Sequence, residues 1–287
     1  MLEHPTHHHH SHNYLSSFTI LLYRKMSDYF YVRLNSSGYS AESNANYPNS
    51  FTVTTPPDLS QKLDESWNVN LVRITIPKIW FNLPINTSVS ISKKQSRRKT
   101  ITSTFKLNAG LYASVFHLCT TINDKVETIF PESKDKFKII FNESSRLCKL
   151  KCTPPYEIKF DPELCKVLGF LSDDGKFSSD SAILGSYPCN LDSLISNIHV
   201  FCNIIEPCYF GNSKQFILTT IPIHSEDVEF TFDYQLPTFD KTLPCKLRLV
   251  DFNSITIKLL TEDLQLLPMD IENYPTAITT MTLKFWK

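Results

Sequence analysis

The side chains able to do chemistry are scattered along this chain, and their spacing limits what each could do. His117 and Cys119 stand two positions apart. A Cys–His dyad needs hydrogen-bond reach, and two residues at i and i+2 of a helix point to different faces. Cys148 and Cys152 share one face of a predicted strand, yet four strand residues span roughly 13 Å, too far for one zinc ion or a disulfide without a bend. Both read as packing residues. His199 sits mid-strand among Ile198, Val200 and Phe201, which suits a hydrogen-bonded core histidine better than a ligand, and His224, beside Ser225, Glu226 and Asp227, reads as a loop residue. Asp173-Asp174 and Glu262-Asp263 could hold calcium but lack the ligand periodicity of a calcium loop, so turn chemistry accounts for them.

No G-x-S-x-G, P-loop, H-E-x-x-H or dinucleotide fingerprint occurs in the 287 residues. The expectation is therefore a chain with no catalytic, cofactor-binding or metal site. Lysine plus arginine equals aspartate plus glutamate at 29 each, so no net field draws the chain to a phosphate backbone or an acidic membrane. Neither direct nucleic-acid binding nor a membrane is expected. Eight cysteines without a repeated short spacing read as free thiols of a reducing compartment.

Positioning falls to strands. Phe30, Val32 and Leu34 alternate with polar residues, as do Ile101, Ser103, Phe105 and Leu107, then Phe137, Ile139 and Phe141. Val228, Phe230, Phe232 and Tyr234 repeat the pattern, as do Cys245, Leu247 and Leu249, and Thr279, Met281, Leu283 and Phe285 in a final strand over 277–286. The run 198–205 is apolar on both parities and ends before Pro207. The run 67–76 ends before Pro77, and its apolar parity flips between Leu71 and Val72, which predicts a bulge.

Two helices are expected. Val115, Leu118, Ile122, Val126 and Ile129 fall on one helical face that packs against a sheet. A shorter helix has Asp161 as N-cap, Pro162 at its first position and Gly169 closing it. Ten or more strands with two short helices predict an all-β fold, a single jelly-roll β-sandwich with the helices in inserted loops. Residues 26–287 are read as one domain, and residues 1–25, with their His7–His10 and His12 cluster and the short apolar stretch Tyr14–Tyr23, as an unstructured leader that begins before a native start at Met26. The basic run Lys93, Lys94, Arg97, Arg98 and Lys99 reads as a solvated loop, with an import signal or a polyanion contact as the other readings. Trp67, Trp80 and Trp286 suit core or interface better than a carbohydrate groove.

A series of short segments resembles the penton-type minor capsid proteins of Polinton or Maverick elements and their adintovirus relatives. It runs through Phe30 to Ser37, Tyr47-Pro48-Asn49-Ser50-Phe51-Thr52-Val53, Trp67-Asn68-Val69-Asn70-Leu71 and Ile76-Pro77-Lys78-Ile79-Trp80-Phe81-Asn82. It continues with Gly110-Leu111-Tyr112-Ala113-Ser114-Val115, Leu164 to Phe170, His199 to Pro207 and Met281-Thr282-Leu283-Lys284-Phe285, with Asn203 where the family has Asp. Trp67, Trp80, Asn82, Glu206 and Pro207 carry the pattern and are read as fixing the sandwich and its strand ends.

The resemblance implies a virion protein that forms a homopentamer at five-fold vertices beside a double-jelly-roll major capsid protein, assembled in the nucleus or cytoplasm of a host cell. Its activity would be burial of interface. The alternatives are a lectin-like or receptor-binding sandwich and, more remotely, a hydrolase on the same scaffold.

Overall fold

The computed structural model describes residues 19–21, 29–37, 46–56, 59, 63–223, 231–235, 244–249 and 251–287. The histidine cluster, the rest of the leader apart from 19–21, and the segment 224–230 with His224, Val228 and Phe230 lie outside the described residues.

Alternation of apolar and polar residues builds two facing antiparallel sheets. The first runs β1 (Thr19–Leu21), β2 (Tyr29–Asn35), β19 (Thr280–Trp286), β4 (Asn68–Pro77) and β16 (Thr231–Gln235), with β17 (Cys245–Lys246) also on β4. The second runs β15 (Ile217–Pro222), β12 (Asn197–Cys202), β18 (Ser254–Leu260) and β3 (Ser50–Thr54). A small hairpin, β13 (Cys208–Phe210) with β14 (Ser213–Gln215), stands apart. Val32 and Leu34, then Met281, Leu283 and Phe285, meet Ile255, Ile257 and Leu259 in one buried cluster. Each such side chain contributes roughly 1.5–3 kcal/mol when fully buried. A one-residue slip would turn a whole row outward, so burial fixes the register.

The predicted bulge is present. Thr282 of β19 pairs with Arg73 and Leu283 with Leu71, leaving Val72 as the extra residue of β4. Two expectations are corrected here. Thr19–Leu21, placed in the leader, pairs with β2, Ile20 opposite Val32, and so covers backbone groups that would otherwise form a sheet edge. The apolar run that starts at Ile198 ends as a strand at Cys202, and Ile204 and Ile205 are buried beyond it through an isolated bridge from Ile205 to Leu247.

The helices lie in an insert between Asn82 and Ile195 that is far larger than a loop and has its own buried cluster. One of its sheets is β10 (Lys176–Phe177), β9 (Tyr156–Phe160), β5 (Thr87–Ser96) and β6 (Lys99–Leu107); the other is β11 (Ile183–Leu184), β8 (Leu147–Cys152) and β7 (Phe137–Asn142). Helix α1 (Val115–Ile129) starts at Ser114, whose hydroxyl accepts from the His117 N–H, and buries Val115, Leu118, Cys119, Ile122 and Val126. Helix α2 (Pro162–Leu168) closes at Gly169, left-handed at φ 76°, where a Cβ would lie 2.0 Å from the Tyr187 carbonyl oxygen. Asp161 precedes α2 as expected but does not cap it with its side chain. Its carboxylate accepts from the Ser88 N–H instead, tying the helix to β5.

Candidate functional site

The five positions that carry the family pattern fall at the two ends of β4, a strand of ten residues and so about 30 Å long. At one end, buried Trp67 packs on Phe30 at 5.4 Å, and its carbonyl accepts from the Leu247 N–H. Glu206 reaches the same region through its backbone N–H to the Lys246 carbonyl, while its side chain is exposed and Pro207 is half-buried. At the other end, Trp80 is 1 % exposed and forms a bridge with Met269. Asn82 clamps the start of the insert: its Nδ2 donates to the Tyr112 carbonyl at 2.8 Å and its Oδ1 accepts from the Tyr112 N–H at 2.9 Å.

His117 is exposed and Cys119 buried, on different faces of α1. His199 is buried, its Nδ1 lies 2.8 Å from Thr220 Oγ1, and its ring meets Phe210 edge-on; burial lowers its pKa, with the nearby Glu262 charge opposing. Asp174 accepts from the Lys176 N–H and the Ser172 hydroxyl in a turn. Glu262 accepts from the Ser196 N–H and hydroxyl and the Asn197 N–H, at 2.6–2.7 Å. Burial alone would raise that carboxyl, but these hydrogen bonds outweigh it and hold it below the ordinary glutamate range.

One gathering was not legible in the sequence. Cys148 Sγ lies 3.7 Å from Cys119 Sγ and 3.2 Å from Cys189 Sγ, all in the insert core. Contact with Cys119 and burial raise the Cys148 pKa far above the ordinary thiol, and contact with Cys148 does the same to Cys189. Cys152, buried four residues further along β8, is pushed up to about 12 by desolvation. Thiols buried among apolar side chains in this way suit packing. Among the described residues no cluster of three or more His, Cys, Asp or Glu is placed to hold a metal ion, and no helix is long and apolar enough to cross a membrane.

What the molecule presents is surface. The outer face of β2, β19 and β4 carries Tyr29, Tyr31, Arg33, Lys284, Trp286 and Arg73. Lys284 pairs in register with Tyr31 and Asn70, and Thr282 with Arg33 and Arg73. Lys284 Nζ stands 4.7 Å over the Tyr29 ring, and Trp286 Nε1 donates to Asn70 Oδ1 at 3.0 Å. Arg73 donates to both carboxylate oxygens of Asp233, which keeps that carboxyl below its ordinary range. A shallow trough runs between Arg33 and Arg73 over Thr75, Thr280 and Thr282. Aromatic rings, arginines and paired polar groups on one pleated face make a surface of the kind found at protein interfaces. The signal in the sequence is the second parity of β2, Tyr29-x-Tyr31-x-Arg33, opposite the apolar one.

No family model matches the chain, and no curated protein matches it. Solved structures do. The mavirus penton protein superimposes with a TM-score of 0.57 at 13 % identity, covering 90 % of this chain and 99 % of that one. A chain of the 3.5 Å cryo-EM structure of the Sputnik virophage gives 0.54 at 13 % identity, covering 91 % and 98 %. At that identity the likeness is one of fold: an all-β jelly roll with an insert, shared nearly end to end with a viral penton protein.

Proposed function

We propose that this chain is a structural capsid protein of the penton type, encoded by a Polinton-like element, which assembles as a homopentamer at five-fold vertices beside a double-jelly-roll major capsid protein. The observation that carries the reading is likeness over whole length, since 99 % of the mavirus penton chain has a counterpart here. A shared sandwich alone would fit many functions; a shared sandwich with its insert narrows them. The motif series from Phe30 to Phe285 supports the Polinton assignment. The virion is then the place of action.

A ring of five requires heterologous contacts, one face of each copy complementing a different face of the next, at an angle that closes. The outer face of β2, β19 and β4 is the candidate for one side, because its tyrosines, tryptophan and arginines supply anchors that bury large area with few rotamers to freeze. The test is the solution mass of the full chain by light scattering after size exclusion, alone and with the major capsid protein of the same element. A mass near five times 33.1 kDa, or incorporation at particle vertices, is expected. A monomer at high concentration that ignores the capsid protein would overturn the reading and favour the ligand-binding sandwich.

A further inference from the structure

The neutral total charge conceals a segregation. Residues 83–194, the insert, hold 16 basic and 12 acidic side chains, and the rest of the chain holds 13 basic and 17 acidic. From Ser66 to Asn123, 58 residues, there is no aspartate or glutamate at all, while eight lysines and arginines occur. Five of these are Lys93, Lys94, Arg97, Arg98 and Lys99, read from the sequence as a solvated loop. The structure corrects that. They form the end of the β5–β6 hairpin, with Ser96 opposite Lys99 and Arg97-Arg98 as its two-residue turn.

The hairpin reaches beyond its sheet. The third strand, β9, accompanies β5 only as far as Lys93, opposite Tyr156, with a last backbone bond from the Lys94 N–H to the Pro155 carbonyl. Past that point the ribbon is two strands wide and exposed from Lys94 through Thr102; even Ile101, on the parity that is buried nearer the base, faces solvent. Lys93 is anchored to Glu132 at 2.6 Å. Lys94, Arg97, Arg98 and Lys99 pair with no acidic side chain among the described residues. Below them the outward face of the ribbon is a ladder of hydroxyls, Ser92 with Thr102 at 2.9 Å and Ser90 with Thr104 at 2.8 Å. Glu157 and Lys159 of β9 flank it, in register with Ser92 and Ser90.

We propose that this hairpin is a finger that binds the sugar–phosphate backbone of duplex DNA without regard to sequence. Four unpaired cations at one tip supply the attraction, and serine and threonine hydroxyls are ordinary donors to phosphate oxygens. A two-stranded ribbon fits the major groove of a B-form duplex, about 12 Å wide, where it meets phosphates on both rims. The tip, Lys-Lys-Gln-Ser-Arg-Arg-Lys, has no aromatic ring on which an unpaired base could stack, which favours a duplex over a single strand. This inference is independent of the vertex assignment.

The test is fluorescence anisotropy of a labelled 20-base-pair duplex titrated with the full chain at several salt concentrations. Four phosphate contacts give a slope of log affinity on log salt of about −3.6, hence a loss of roughly a hundredfold between 50 and 200 mM. The variant with Lys94→Gln, Arg97→Gln, Arg98→Gln and Lys99→Gln is expected to lose at least tenfold at 50 mM and to flatten the slope, with circular dichroism unchanged. A control, Lys214→Gln with Lys258→Gln in the jelly roll, keeps the affinity. Unchanged binding by the tip variant, no binding at 50 mM, or stronger binding to a sulfated oligosaccharide or to single-stranded DNA than to the duplex would overturn the proposal. The substitutions lie on an exposed two-residue turn and its flanks, so a folded variant is expected; single Arg97→Gln and Arg98→Gln changes, each lowering the slope magnitude by about one, serve if it is not.

Discussion

Three asparagines among the described residues do the work of a missing strand. Asn46 with Thr52, Asn82 with Tyr112 and Asn123 with Ile139 each donate from Nδ2 to a backbone carbonyl and accept at Oδ1 from the N–H of the same residue, at 2.8–3.1 Å. A side-chain amide has the donor and acceptor of a peptide unit, so it satisfies backbone groups where no strand is at hand. Asn123 thereby reaches from α1 to the edge strand β7. Asn82→Ala and Asn123→Ala are each expected to lower the unfolding free energy by about 1–3 kcal/mol, since a donor and an acceptor lose their partners together. Asp at either position is expected to cost more, because a carboxylate turns an acceptor toward a carbonyl; urea unfolding of the four variants orders them. Glu262 offers a pH-dependent counterpart. Its carboxyl is held below the ordinary range in the folded protein, so it adds stability above about pH 4.3, and that contribution disappears as pH falls through the folded value. The stability gap between the native chain and Glu262→Gln is expected to be constant from pH 7 to about 5 and to shrink below it. A gap that does not change with pH would remove the carboxylate from the account. None of these partners was legible in the sequence, because an asparagine or glutamate in a polar stretch gives no sign of what lies across from it.

Strand parity is the level at which the sequence is most informative. Leu71 to Val72 breaks the alternation of β4, and the structure places the extra residue there. The consequence is testable by deletion. Without Val72, Val69 and Leu71 on one side and Ile74 and Ile76 on the other fall into a single alternating series, so their burial survives and only the local twist of the bulge is lost. Deleting Thr282 from the facing strand instead leaves Met281 next to Leu283, and one of the two must leave the core with everything beyond it. Cooperative thermal unfolding is expected to persist for the Val72 deletion and to vanish for the Thr282 deletion. The five-residue face of α1 was equally readable, since a 3.6-residue period records which side is buried, although Ile129 at its end is only partly covered. The division of buried residues into two clusters was not, because a strand of the insert such as β7 alternates just as a strand of the sandwich does, and alternation does not say which layer covers it. For the same reason Cys119, Cys148 and Cys189 stood apart until the fold brought them together.

For the whole molecule, a ring of copies would be governed by what the two sheets leave uncovered. The buried parity of β2 and β19 holds the monomer together, while Tyr29, Tyr31 and Lys284 on the other parity contribute little to it; Tyr29 is 49 % exposed. Substituting Tyr29→Ala with Tyr31→Ala should therefore leave the monomer within about 1 kcal/mol of its native stability, since Tyr29 is exposed and Tyr31 only half-buried. If the outer face is one side of the ring contact, the same change removes anchor residues, each worth about 2 kcal/mol or more in an interface core, and every copy loses them at each of the five contacts. Light scattering over a concentration series would then show native pentamer and variant monomer at the same concentration, with superimposable thermal unfolding of the two at low concentration. A pentamer that tolerates both alanines places the contact on other faces, such as the one that displays Tyr209, 77 % exposed on the β13–β14 hairpin. Loss of the pentamer together with a drop in monomer stability would assign the tyrosines to the fold. The two readouts separate the interface from the core because the pleat of a strand already does: residues 30, 32 and 34 face one way, and residues 29, 31 and 33 the other.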